Sequence, residues 1–216
     1  DGILPLPEET EAALRSSADL LVEEEWKKAY AIDRFKWDDL QGLELWKKML
    51  TVPTLNIDGI KGGYIGEGSK TLLPHEASVK MDMRLVPGMD PQDMLDKIRK
   101  HLDKHGYSDI EITEYGKSYY PSSVPYNSTS VQTLKRMYEE MGARPQIWPW
   151  NPGSAPYYLF GKILGLPYVT GGMGHGSRQH SSNEYCTVKG VLDFEKSMIY
   201  YLSLFPEVAD ELKKRG

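Results

Sequence analysis

Residues 77–85, ASVKMDMRL, alternate without a break: Ala77, Val79, Met81, Met83 and Leu85 against Ser78, Lys80, Asp82 and Arg84. A period of two puts the two sets on opposite faces of a strand, one buried and one wet. Pro87-Gly88 stops that strand. Asp90-Pro91-Gln92-Asp93 then opens a helix, with Asp90 as cap, Pro91 at the first helical position and Asp93 at the positive end of the dipole. Met94, Leu95, Ile98 and Leu102 form its apolar stripe, and Gly106 ends it. VPTLNIDGIKG (52–62) reads as a preceding strand and DIEITEYG (109–116) as a following one. The order strand, strand, helix, strand predicts a small α+β layer, a helix on one face of an antiparallel sheet.

The pattern changes after GKSYYPSSVPYN (116–127), a connection rich in Pro, Ser and Tyr. A helix is expected from Ser128 or Ser130 to Gly142, a strand at RPQIWPW (144–150) and a helix at SAPYYLFGKILG (154–165). A short strand, LPYVTGGM (166–173), and a final helix, VKGVLDFEKSMIYYLSLF (188–205), complete the order. This alternation predicts part of a parallel α/β layer with too few elements for a complete sheet. Residues 8–50 read as broken helical pieces with Leu14, Leu20, Leu21, Trp26, Leu40, Leu43 and Trp46 at helical spacing.

Charge and cysteine content remove several functions. The net charge is −5, and no block of five or more Lys and Arg occurs, so nucleic acid is not an expected partner. No apolar run is long enough for a bilayer, and the acidic start lacks the features of a signal peptide. Asp1-Gly2 reads like the middle of a loop, so the chain is expected to be a segment of a longer protein. The single Cys186 excludes an internal disulfide and any multi-cysteine zinc site, and suggests a reducing, cytoplasmic setting. A metal would have to use His, Asp and Glu, and the histidines are His75, His101, His105, His175 and His180.

The glycine-rich loop GGMGHGSRQHSSNEY (171–185) follows an expected strand. It fails both phosphate-loop patterns, since no third Gly falls in register and no Lys-Ser or Lys-Thr follows. His180 lies beyond the C-terminal end of that strand, the edge where open α/β sheets bind ligands. Imidazole is a common metal ligand, and Glu184 can ligate or orient a neighbour. One His and one Glu do not close a zinc site, which takes three or four protein ligands. Ser154 is expected to cap the following helix; with Gly153 it also offers donors to an anion. Ser154 lacks a GxSxG setting. Arg84, at the end of the wet strand face, is either solvated or a guanidinium fork for a carboxylate. His75, and the pair His101 and His105, read as surface residues.

GSKTLLPHEASVKMDMRLVPGMDP (68–91), NPGSAP (151–156) and GHGSRQHSSNEY (174–185) occur in series. Together they resemble the M20 family of dinuclear zinc peptidases, on the branch of dipeptidases and carboxypeptidases related to carnosine dipeptidase. The resemblance implies an α/β catalytic domain interrupted by a ferredoxin-like lid that mediates homodimerisation. It divides this chain into a helical approach segment (1–51), a partial lid (52–116) and the C-terminal part of the catalytic domain (117–216). It makes His180 the last metal ligand, with His175, Asn183 and Glu184 around it. It places Arg84 and Thr71 against substrate in the partner subunit's site, and Gly153 and Ser154 near substrate.

The implied cofactor is a pair of zinc ions, with manganese or cobalt as substitutes, that activates the attacking water. The implied substrate is a peptide or N-acyl amino acid; aminoacylases and deacetylating amidohydrolases share the skeleton. The family's H-x-D motif, bridging Asp, Glu-Glu pair and lid His lie upstream of the matched motifs, so the resemblance places them outside this sequence. The expectation is therefore a C-terminal portion without catalytic residues of its own, inactive without an N-terminal half. A non-catalytic dimerisation or binding module is the alternative.

Overall fold

The computed structural model describes residues 5–37, 39–151 and 153–215. The terminal pair Asp1-Gly2 and Pro152 of the NPGSAP motif lie outside the described residues. The architecture is mixed α/β, with a small antiparallel sheet and helices.

The N-terminal region folds as α1 (Glu8–Ser16), a 3-10 turn (Ala18–Leu20), α2 (Glu23–Tyr30) and α3 (Gly42–Thr51). Their apolar stripes converge on a core of Leu14, Leu21, Trp46 and Leu50, with Trp26, Trp148 and Trp150 packed around it. Fully burying an apolar side chain contributes roughly 1.5–3 kcal/mol, so a core this aromatic can hold short helices that would not persist alone. Trp26 and Trp148 stack with centroids 5.4 Å apart and planes 11° apart.

Residues 144–150 therefore belong to this core, and the strand expected there does not form. Pro145 and Pro149 remove two ladder donors. The segment bonds to the helices instead. The Arg144 fork grips both oxygens of Asp19 at 2.6 and 2.8 Å, Ile147 N–H donates to Ser17 Oγ (3.2 Å), and Trp150 Nε1 donates to the Leu50 carbonyl (2.7 Å). Trp46 Nε1 and Gln146 Nε2 are buried donors without a partner among the described residues.

The alternating segment forms a strand but not the half-buried one expected: Val79 (52% exposed) and Met81 (48%) on its apolar face stay open, while Asp82 on the polar face is half-buried. β1 (Thr54–Gly62) pairs antiparallel with β2 (Ala77–Arg84), with Asn56 opposite Asp82 and Thr54 opposite Arg84. The register slips between Ile57 and Gly59, leaving Asp58 as a bulge residue. α4 (Pro91–Lys104) follows, and Asp90 accepts from the N–H groups of Gln92 (2.8 Å) and Asp93 (3.3 Å). Gly106 ends it with φ of 84°. The third strand, expected at 109–116, is absent. A strand exists only through a ladder partner, and no described strand pairs with it; Ile110 and Ile112 stay exposed.

α5 (Thr129–Glu140) and α6 (Val188–Arg215) pack together around Leu134, Met137 and Leu204. Arg136 ties them electrostatically, reaching Glu140 on its own helix and Glu207 and Glu211 on α6. No parallel sheet occurs among the described residues, which corrects the layer expected after residue 127. The helix expected over 154–165 shrinks to one π turn, Leu159–Ile163, whose Leu159, Phe160 and Ile163 remain exposed. Ser154 consequently caps no helix. The segment 166–173 is not a strand either.

Candidate functional site

The loop carrying His180 is a short hairpin, β3 (Gly176–Ser177) with β4 (Tyr185–Cys186), tipped by residues 178–184. Its base is tied down from both packed helices. Tyr138 Oη bonds both the carbonyl (2.9 Å) and the N–H (2.7 Å) of Gly172. Met173 N–H donates to Ser197 Oγ (3.1 Å), a buried hydroxyl of α6. Thr187 N–H donates to the His175 carbonyl (2.9 Å), and Thr187 Oγ1 accepts from Gly190 N–H (3.0 Å), capping α6. Side-chain-free backbone is needed here: a Cβ on Gly190 would sit 2.5 Å from His175 N.

At the tip, Arg178, His180 and Asn183 all have left-handed φ, at 65°, 62° and 61°. Asn tolerates this conformation, whereas it costs Arg178 and His180 about 1–2 kcal/mol at most, and such strain gathers where a side chain must be presented in a set direction. Ser181 steadies the turn, donating from N (3.1 Å) and Oγ (2.8 Å) to the Arg178 carbonyl. The His180 imidazole is exposed and forms no hydrogen bond or ion pair among the described residues. Asn183 and Glu184 are exposed on the same tip without bonding it, and the His175 ring lies against Tyr185 instead, centroids 6.1 Å apart.

Arg84 closes the polar face of the β1–β2 hairpin. Its Nε lies 2.7 Å from Asp82 Oδ2, and Asn56 Nδ2 donates to Asp82 Oδ1 across the ladder (3.2 Å). Asp58 joins this group. Burial, then the neighbouring Asp82, holds its carboxyl above the usual carboxylate range, and Arg84 opposes that rise. Thr71 is exposed between Lys70 and Leu72, which line a cavity of about 210 Å³ with Tyr64 and His75. Gly153 spends its N–H on Asn151 Oδ1 (2.7 Å), and Ser154 is exposed. No hydrogen bond or ion pair joins Arg84, Thr71, Ser154 and His180 to one another among the described residues.

The fit to a metal is partial. A free imidazole on an exposed turn suits one ligand position. No group of three or more His, Cys, Asp or Glu among the described residues could hold an ion by itself. A second cavity, about 320 Å³, lies between α5 and α6 and is lined by Leu134, Phe160, Met198, Tyr201 and Phe205; burial there raises the Tyr201 phenol. No helix among the described residues is long and apolar enough to cross a membrane.

Sequence reasoning missed Asn56, Asp58, Tyr138, Ser197 and Gly190. Asp82 was readable as a face-mate of Arg84 from the period of two. The others depend on register and on helix docking, which leave no local signature.

Residues 11–110 match the family model described as the peptidase dimerisation domain of M20 enzymes. Among curated proteins, the chain is 28% identical over 164 residues to the Cys-Gly metallodipeptidase DUG1 of Saccharomyces cerevisiae, covering 72% of this chain and 34% of that protein. It is 33% identical over 105 residues to the Beta-Ala-His dipeptidase of Rattus norvegicus, covering 48% and 20%. Among solved structures, an M20 family metallo-carboxypeptidase, Sso-CP2 from Sulfolobus solfataricus, superposes with a TM-score of 0.79 at 31% identity, over 95% of this chain and 47% of that one. Human carnosine dipeptidase 1 shares the fold, with a TM-score of 0.63 at 21% identity, over 97% and 44%. The chain thus spans less than half the length of these relatives. The resemblance to M20 metallopeptidases read from three short motifs holds across the chain.

Proposed function

We propose that this chain is the C-terminal portion of a dinuclear zinc M20-type peptidase that hydrolyses dipeptides or C-terminal peptide bonds. The observation that carries this reading is the superposition of nearly the whole chain on about half of a metallo-carboxypeptidase. The dipeptidase names of its relatives favour short peptides as substrates. In this reading residues 1–51 approach the lid, 52–116 are lid, and 117–216 complete the catalytic domain. The match to a dimerisation domain supports a homodimer formed through the lid. The setting is cytoplasmic.

The chemistry divides between this chain and an N-terminal half. His180 would hold one metal, presented by its strained tip. The ions, when bound, polarise the scissile carbonyl and make water nucleophilic near neutral pH. Arg84 receives the substrate carboxylate with a planar fork, and Thr71 meets the substrate beside it. Ser154 and Gly153 meet the substrate from the catalytic side. Asn183, Glu184 and His175 shape the surroundings of His180. The general base that moves the proton to the leaving amine belongs to the N-terminal half.

The test combines this chain with that half in zinc or manganese and follows dipeptide cleavage. Each part alone should be inactive and the mixture active. His180→Ala in the full-length protein should abolish turnover. An inactive mixture, with a full-length protein indifferent to His180→Ala, would leave a non-catalytic dimerisation module as the better reading.

A further inference from the structure

Arg84, the group proposed to receive a substrate carboxylate, is held from one side only. Asp82 approaches its Nε at 2.7 Å, and Arg84 makes no other ion pair or hydrogen bond among the described residues. A guanidinium presents two edges. One contains Nε, and the other is the pair of terminal nitrogens, which is the fork that grips a carboxylate bidentately. Asp82 meets the Nε edge as an ion pair and leaves the outer fork open.

Asp82 is itself fixed. Its other oxygen accepts from Asn56 Nδ2 (3.2 Å), and the same amide donates to Thr54 Oγ1 (3.2 Å). These residues face one another through the strand register, Asn56 opposite Asp82 and Thr54 opposite Arg84. The backbone ladder therefore sets where the guanidinium points. Asp58 adds a carboxyl to the same group at the bulge. Burial, then Asp82, raises that carboxyl from its ordinary value, and Arg84 opposes the rise.

We infer that Asp82 is a positioning residue: clamped by Asn56 across the ladder, it orients Arg84 with its outer fork free and so sets affinity for substrates that end in a free carboxylate. This rests on the peptidase reading above. A carboxylate contact present in both ground and transition states changes KM and leaves kcat alone.

The experiment measures kcat and KM in the full-length, metal-loaded protein, for a dipeptide and for the same dipeptide as its C-terminal amide. Asp82→Ala should raise KM for the dipeptide by about tenfold with kcat within about twofold, and should leave KM for the amide alone. Asp82→Asn, which keeps an oxygen beside Nε without the charge, should restore part of the loss. If Asp82→Ala does not fold, Asp82→Asn carries the test, with a smaller KM rise confined to the free-acid substrate. Equal changes for acid and amide, or a fall in kcat alone, would overturn the inference. Arg84→Ala without effect on the dipeptide KM would overturn the carboxylate role while leaving the peptidase reading intact. Wild-type protein that cleaves neither substrate would overturn both.

Discussion

Gly190→Ala is the most informative single change near the His180 loop, because it perturbs the loop's support and not its tip. A Cβ at this position would lie 2.5 Å from His175 N, 2.8 Å from Thr187 Oγ1 and 2.9 Å from His175 O. Two of these are backbone atoms and cannot swing aside. Overpacking of this kind costs about 1–3 kcal/mol. Disturbing the cap in which Thr187 Oγ1 accepts from Gly190 costs about 1 kcal/mol more. Alanine's better helix propensity returns about 1 kcal/mol. The net loss is about 1–3 kcal/mol, concentrated where the loop meets α6. Amide hydrogen exchange reads it directly. The Thr187 N–H, bonded to the His175 carbonyl at 2.9 Å, should exchange roughly 5- to 100-fold faster, since about 1.4 kcal/mol is a factor of ten. Amides of α5 should be unaffected. Unchanged exchange at Thr187, or uniform acceleration through α5 and α6, would refute the claim that this glycine exists for a close backbone approach.

Met137 is fully buried between α5 and α6, so Met137→Ala should cost about 2–5 kcal/mol in chemical denaturation. The Asp19–Arg144 pair predicts a pH dependence. The hydrogen bond from Arg144 holds the Asp19 carboxyl below its ordinary 3.8. A carboxylate lowered on folding contributes stability that is complete above its unfolded value and is lost as pH falls through its folded value. Asp19→Asn should therefore be less stable than wild type at neutral pH, and the difference should shrink below about pH 3.8, read by tryptophan fluorescence of the core around Trp148. Arg136→Ala should weaken the α5–α6 pair, and the loss should diminish in high salt because its partners are exposed.

What the sequence shows well is local. The Asp90 cap with Pro91 and the glycine stop at Gly106 act within a few residues and formed as read, and the β2 alternation marked a strand though not the buried face expected of it. What it hides is pairing. Ile110 and Ile112 alternate correctly, yet no strand forms at 109–116 because alternation does not supply a ladder partner. RPQIWPW reads like a strand because Ile147, Trp148 and Trp150 are apolar, yet they pack on the N-terminal helical region a hundred or more residues away. Within the proposed site, His180 and Arg84 stood out through motif resemblance and strand period. The left-handed tip did not, since Asn183 tolerates that conformation but nothing local marks Arg178 and His180 as adopting it. The clamp of Arg84 needed the register that brings Asn56 opposite Asp82.

The central claim is that this chain supplies one edge of a two-metal site. Metal content tests it most directly. The isolated chain, equilibrated with zinc and freed of excess, should retain less than one tightly bound ion, because one imidazole cannot replace the three or four ligands that a zinc site requires. The assembled protein should retain about two, as a dinuclear site demands, and His180→Ala should lower that number. Two tightly held ions on the isolated chain, or an assembled protein whose metal content ignores His180→Ala, would contradict the account.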